Sequence, residues 1–273
     1  MAEGDGVARG VVVGIDGSTG SRGAVEFAAD EAVARRVPLH LLCVTLPALM
    51  LSPPLLAPFP TSAPDPGVDP VPGFLEELAE QVRRTRPGLE TIQEVVPGGP
   101  SAVLVERSRA ADLVVVGARG HGGFLELLAG SVATQVATHA HCPAVVVRGG
   151  ARPEGPVVVG VDDAPETDVA VDLAFYEAVL HGRQLRAVHV GHGDPDAPLT
   201  RWRSRYPDVA VETVLSRDRD VAAALVAASE DARMVVVGSR GRGGLRSLLL
   251  GSVGYALAHH AHCPVLIAHP TSS

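Results

Sequence analysis

DLVVVGARGHGGFLELLAGSV at 112–132 and RMVVVGSRGRGGLRSLLLGSV at 233–253 are one glycine-rich phrase written twice, and its reading decides the fold. In each copy an apolar run ends in glycine, and the glycines that follow keep one spacing. The first copy has Gly117, two residues, Gly120, nine residues, then Gly130 and Ser131; the second has Gly238, Gly241, Gly251 and Ser252 at the same intervals. The offset is 121 residues (117 to 238), and laying 112–147 over 233–268 matches 19 of 36 positions, including HAHCP at 139–143 and 260–264. A match of that extent marks a duplication whose unit is a whole domain.

The 273 residues leave room for two domains, each able to bury its own core, and we place them at 1–149 and 150–273. The turn-rich GGARPEGP at 149–156 marks the join. A net charge of −8 offers no general attraction for nucleic acid or an anionic lipid surface, so neither is an expected partner. All 23 basic residues are arginines, which excludes a Walker-type lysine and any Schiff base. Three cysteines, two at equivalent repeat positions (Cys142 and Cys263), fit reduced structural thiols in a cytoplasmic protein. The start MAEGDGVARG has no signal-peptide core, and the apolar stretch 39–59 is broken by Pro47, Pro53, Pro54 and Pro58, so no membrane span is expected.

Each half reads as strands alternating with helices. VVVGIDGS at 11–18 and VVVGVDD at 157–163 are short apolar runs of the buried parallel kind. A helix over 21–36 carries Ala24, Val25, Ala28, Ala32 and Val33 on one face, and Pro38 precedes a strand at 39–46. A Pro-rich loop is expected over about 47–73, then a helix bearing Phe74, Leu75, Leu78 and Val82 and a strand near 89–96. A helix at about 100–111, the strand 112–117, a helix from Ser131 and the strand 142–147 complete the half. In the second half Val169, Leu173, Tyr176 and Leu180 define the first helix face, which Gly182 ends. Strands follow near 185–190, 209–215, 234–238 and 263–268. This alternation predicts an α/β fold of two tandem, doubly wound, five-stranded parallel-sheet domains of Rossmann-like type, with ligands at the carboxyl ends of the strands.

Glycines at a strand end bring backbone close to a ligand and expose N–H donors, and a helix beginning at Gly130-Ser131 or Gly251-Ser252 adds its amide groups and dipole. That is a cradle for phosphate without lysine. Ser131 and Ser252 suit capping and phosphate donation, Arg119, Arg240 and Arg242 supply charge, and His121 plays a weaker version of Arg242's part. Neither copy matches the P-loop or the G-x-G-x-x-G dinucleotide pattern.

Over nearly its whole length the chain resembles the tandem form of the universal stress protein family. The resemblance rests on VVVGIDGS, LLCV, DLVVVGARGHGG…GS and HCPAVVV in the first half, and on VVVGVDD, AVHV, MVVVGSRGRGG…GS and HCPVLIA in the second. It implies ATP as the bound cofactor, and in the alternative reading as an ATPase or phosphotransferase a divalent ion, Mg2+, would bridge its phosphates. It places Asp16 and Asp162 against adenosine, with the main chain of Val44 and Val190 on the adenine edge. Gly117, Gly120, Gly130 and Ser131, with Gly238, Gly241, Gly251 and Ser252, would hold ribose and phosphates. Gly14, Gly122, Val132, Gly160, Gly243 and Val253 complete the implied lining. It also implies action in stress survival or growth control through an unidentified regulatory protein, and pairing of final strands as an intrachain pseudo-dimer or a homodimer. The second half departs where Gly17-Ser18 becomes Asp163-Ala164, which sets a carboxylate near a polyanion and weakens that site.

The HAHC runs contain zinc-ligand residue types, but the simpler reading is that Cys142 and Cys263 begin buried strands. Asp16 and Asp162 lack a nucleophile or second carboxylate at useful spacing, so ligand contact is their expected role and no catalytic residue is assigned. PALMLSPPLLAPFP at 47–60 reads as a lid or docking surface. The expected function is an ATP-loaded regulator; the alternatives are a slow metal-dependent ATPase or phosphotransferase and a nucleotide-free scaffold.

Overall fold

The computed structural model describes residues 9–45, 70–118, 120, 130–162, 167–190, 194, 196–216, 220–239 and 250–270. The proposed lid at 47–60 lies outside them, as do Arg119, His121, Gly122, Asp163, Ala164, Arg240, Gly241, Arg242 and Gly243.

The first half runs β1 (Val11–Ile15), α1 (Thr19–Arg35), β2 (Leu39–Thr45), α2 (Pro70–Thr85), β3 (Thr91–Pro97), α3 (Pro100–Arg107), β4 (Leu113–Gly117), α4 (Ser131–His139) and β5 (Ala144–Val147). The second runs β6 (Val157–Val161), α5 (Thr167–His181), β7 (Leu185–Val190), a 3-10 turn at Ala197–Leu199, α6 (Thr200–Arg205), β8 (Val211–Ser216), α7 (Val221–Ala228), β9 (Met234–Gly238), α8 (Ser252–His260) and β10 (Val265–Ala268).

The ten strands among the described residues form one sheet in the order β3-β2-β1-β4-β5-β10-β9-β6-β7-β8. Within each half the pairing is parallel, and the halves meet where β5 and β10 pair antiparallel through Ala144↔Ile267, Val145↔Leu266 and Val146↔Val265. The expected pairing of final strands thus occurs within the chain. Strand side chains alternate between faces, so Val11 and Val13 join a core with α1, α2 and α5 on one face. Val12 joins the core under α3, α4, α7 and α8 on the other, and both cores continue across the seam.

Three local readings need correction. The loop expected to 73 ends earlier, because α2 begins at Pro70; Pro70 and Pro72 sit in its first turn, where a missing N–H forfeits no intrahelical bond. The buried face of α5 is Ala170, Val171, Ala174, Phe175 and Ala178, whereas Val169 and Tyr176 are exposed and Leu173 and Leu180 half-buried. Three alanines let the helix lie close to the sheet around the fully buried Phe175. Val33 of α1 is likewise exposed although its predicted face-mates are buried. The greater length of the first half appears partly in α2, 16 residues against 6 in α6.

Both first helices end in a left-handed residue, at Gly182 (φ 60°) in the second half and at Arg36 (φ 59°) in the first. Glycine adopts that conformation without steric cost and arginine does not. Arg36 is exposed, so Arg36→Gly is expected to stabilise the chain by about 1 kcal/mol. Chemical denaturation would measure it; an unchanged or lower midpoint would mean that the arginine side chain makes compensating contacts.

Candidate nucleotide site

The first cleft is assembled at the carboxyl ends of β1 and β4, where sequence-distant backbone turns toward one carboxylate. Past β1 the chain passes Asp16 and turns left-handed at Gly17 (φ 83°). Asp16 Oδ1 accepts the Ser18 N–H at 3.0 Å, and the Ser18 hydroxyl oxygen accepts the Ser21 N–H at 3.1 Å, capping α1. A Cβ at Gly117 would sit 2.7 Å from the Gly20 carbonyl carbon, so glycine at the end of β4 admits the first turn of α1. At Gly120 a Cβ would stand 2.3 Å from Asp16 Oδ2. This glycine is exposed, and the loop's backbone lies directly on the aspartate.

Nine residues later the loop returns. The Gly130 N–H donates to the Ala118 carbonyl at 2.8 Å, and its Cβ position lies 3.9 Å from the Gly120 nitrogen. Gly130 is thus brought back beside Ala118 and Gly120 before α4 begins. Gly130 is the N-cap of α4 and offers no capping side chain; Gly251 does the same for α8. By contrast, α1 is capped by Ser18, and α7 by Asp220, whose carboxylate accepts from Ala222 and Ala223. Ser131 and Ser252 are exposed at the starts of α4 and α8, which share the lack of a side-chain cap with α3 and α6. Such ends present amides and a positive dipole end to an anion.

Val44 and Val190 occupy matching places. The β1–β2 register ends at Ile15↔Cys43 and the β6–β7 register at Val161↔His189, so each valine runs one residue past its strand's pairing with the central neighbour. Other predicted residues serve packing. The Cβ positions of Gly14 and Gly160 would lie 3.0 Å from a methyl carbon of Leu104 and Leu225, and Val132 and Val253 pack against the core on that face. Gly238 ends β9 as Gly117 ends β4.

The second cleft is built differently at its aspartate. Asp162 accepts a hydrogen bond from the Thr167 hydroxyl at the first residue of α5, a contact without counterpart in the spacing arguments. Gly20 was also missed by the sequence reading; both residues open the helix that follows β1 or β6, and that position is the signal available for them.

The HAHC junctions are tied by backbone. Ser108 Oγ accepts the His141 N–H at 2.8 Å, and Ser229 Oγ accepts the His262 N–H at 2.9 Å. Burial pushes the Cys142 and Cys263 thiols up to about 12, and Cys43 is buried as well. Iodoacetamide at pH 8 should therefore leave all three thiols unlabelled in the native chain and label them after unfolding; rapid native labelling, read by mass spectrometry, would contradict this.

The profile of the Universal stress protein family matches residues 8–148 and 198–269. The chain belongs to this family. A universal stress protein of Mycobacterium tuberculosis is 36% identical over 293 aligned residues, spanning 95% of this chain and 96% of the relative. One of Mycolicibacterium smegmatis is 32% identical over 287 residues, spanning 96% and 97%. The crystal structure of a universal stress protein from Archaeoglobus fulgidus superposes with a TM-score of 0.67 at 19% identity, covering 94% of this chain and 97% of that one, a likeness of fold. Among the described residues of this universal stress protein, no helix is long and apolar enough to cross a membrane.

Proposed function

We propose that this universal stress protein is an ATP-binding module whose occupancy alters its surface for a regulatory protein partner, in two domains divided at 149/150. The observation that carries the reading is the convergence of Asp16, Gly120 and Gly130 before an uncapped helix. Backbone amides with no side chain between them and solvent suit a polyphosphate, and the side-chain-free surface at Gly120 suits a flat or bulky ligand passing close to the chain. Gly117, Gly120, Gly130 and Ser131 would hold ribose and phosphates, Val44 the base and Asp16 the sugar.

The first cleft is the stronger of the two in this reading. The second half carries Asp163 where the first has Gly17, which adds a carboxylate near a polyanion. Nucleotide extracted from freshly purified protein should therefore be ATP at about one per chain, with a second equivalent binding only on addition of ATP and Mg2+. Absence of nucleotide together with no binding on addition would make the repeated loop an architectural feature and defeat the proposal.

A further inference from the structure

Duplication has placed two glutamates at one position of the repeat: Glu31 of α1 and Glu177 of α5 are 146 residues apart, the same offset as Asp16 and Asp162. Both are wholly buried, and they meet across the seam between the halves. Their neighbours have diverged. Position 35 is arginine where its counterpart, position 181, is histidine, and position 112 is aspartate where position 233 is arginine.

Arg35 reaches across the seam and pairs with Glu31 Oε2 and Glu177 Oε1. His181 Nε2 lies 3.1 Å from Glu31 Oε1, 3.3 Å from Glu31 Oε2, which is its hydrogen-bond partner, and 3.4 Å from Glu177 Oε2. Glu177 Oε2 is buried and makes no hydrogen bond. Arg233 approaches Glu31 Oε1 at 3.4 Å, and Tyr176 lies beneath the Arg35 guanidinium with its ring centre 6.0 Å away. A cleft of about 290 Å³ is lined by Arg35 and Glu177 together with Asp112 and Tyr176.

We propose that His181 is a proton-operated latch between the two halves: an imidazolium held by one carboxylate from each side of the seam draws α1 and α5 together, and its deprotonation slackens them. The latch is independent of what the nucleotide cleft holds.

Charge balance decides between a proton and a metal ion at this place. Glu31, Glu177 and His181 bring three donor atoms within 4.8 Å of one another, a spacing that also admits a cation. Two arginines already match the two carboxylates, so a divalent ion would add two uncompensated charges to a buried cluster, whereas a proton adds one and spreads it between two oxygens. Burial opposes the charged ring, but the carboxylates of Glu177 and Glu31 outweigh it and raise the His181 pKa above its ordinary 6.5. For Glu31, burial acts to raise the pKa, and His181, Arg35 and Arg233 together bring it below the ordinary carboxylate value.

The direction of the pH effect follows. With the folded pKa above the unfolded one, the latch's contribution is full below about pH 6.5 and is lost as pH climbs through the folded value. Each unit of separation is a tenfold change in the folding equilibrium.

The test is a pH series on the full chain and His181→Gln, from pH 5.5 to 9, with three readings. In histidine-labelled NMR spectra, the wild-type resonance absent from the variant should titrate above 6.5; a ring neutral throughout would overturn the proposal. Urea midpoints of wild type and variant should converge as pH rises, and parallel curves would overturn it. Amide exchange in β5 and β10, corrected for intrinsic rates, should quicken at high pH in wild type alone; equal behaviour in both would show the seam indifferent to His181. If His181→Gln fails to fold, the titration and exchange of the wild-type chain decide by themselves, with His181→Asn used for assignment. Zn2+ added to wild type gives the last arm: no change in melting temperature is expected, and a rise lost in the variant would make His181 a metal ligand and overturn the proton reading.

Discussion

Arg35→Met is expected to destabilise the folded chain by about 3–5 kcal/mol, because it removes the shared cation from two buried carboxylates while keeping the volume of the side chain. Glu31 and Glu177 would then face one another with only His181 and the more distant Arg233 to offset them. The cost of breaking such a network exceeds its net worth when intact, since what remains is charge away from water rather than a lost attraction. A surface pair provides the contrast. Arg83 and Glu76 on α2, 2.5 Å apart and half exposed, are screened by solvent, so Arg83→Met should cost no more than about 1 kcal/mol. Urea midpoints of both variants at pH 7 measure the difference. Equal small shifts would mean that the buried cluster is hydrated and carries no special weight at the seam.

Gly120→Leu is expected to lower ATP affinity at least about 100-fold, equivalent to about 2.8 kcal/mol, while leaving the denaturation midpoint near wild type. The first added carbon would lie 2.3 Å from Asp16 Oδ2, so either the loop must lift or the aspartate must leave its place. Gly120 is exposed, so the displacement falls on the cleft rather than on the core. Ser131→Ala, at an exposed helix start, should have a much smaller effect on affinity, since the helix amides remain. Calorimetry with ATP and Mg2+ checks both. If Gly120→Leu binds ATP as well as wild type, the loop does not hold the nucleotide and the proposed site is misplaced.

The architecture was legible where one kind of signal had one physical meaning. Apolar runs such as VVVGI and LVVVG are too short for helices and too uniformly apolar for exposed strands, and each is a central strand of the sheet. Glycine spacing located the loop and the start of α4, because a strand end, a tight turn and a helix start each demand backbone freedom. The face of α5 misled because apolar residues ring the helix: Val171 and Phe175 are buried while Val169, Tyr176 and Val179 are exposed, so apolar spacing alone does not pick the packed side.

The amino-acid sequence by itself determined the repeat, the alternation of strand and helix, the glycine spacing and the family, all of which depend on residues close together in the chain or on a fixed offset between copies. The closing of Gly120 over Asp16, separated by more than a hundred positions, was decided only in the tertiary structure. So was the meeting of Glu31, Arg35, Glu177 and His181, since the antiparallel pairing of β5 with β10 turns one half over onto the other. Periodicity records which face of an element is apolar; it holds no record of which charged residues two apolar faces bring together when they join.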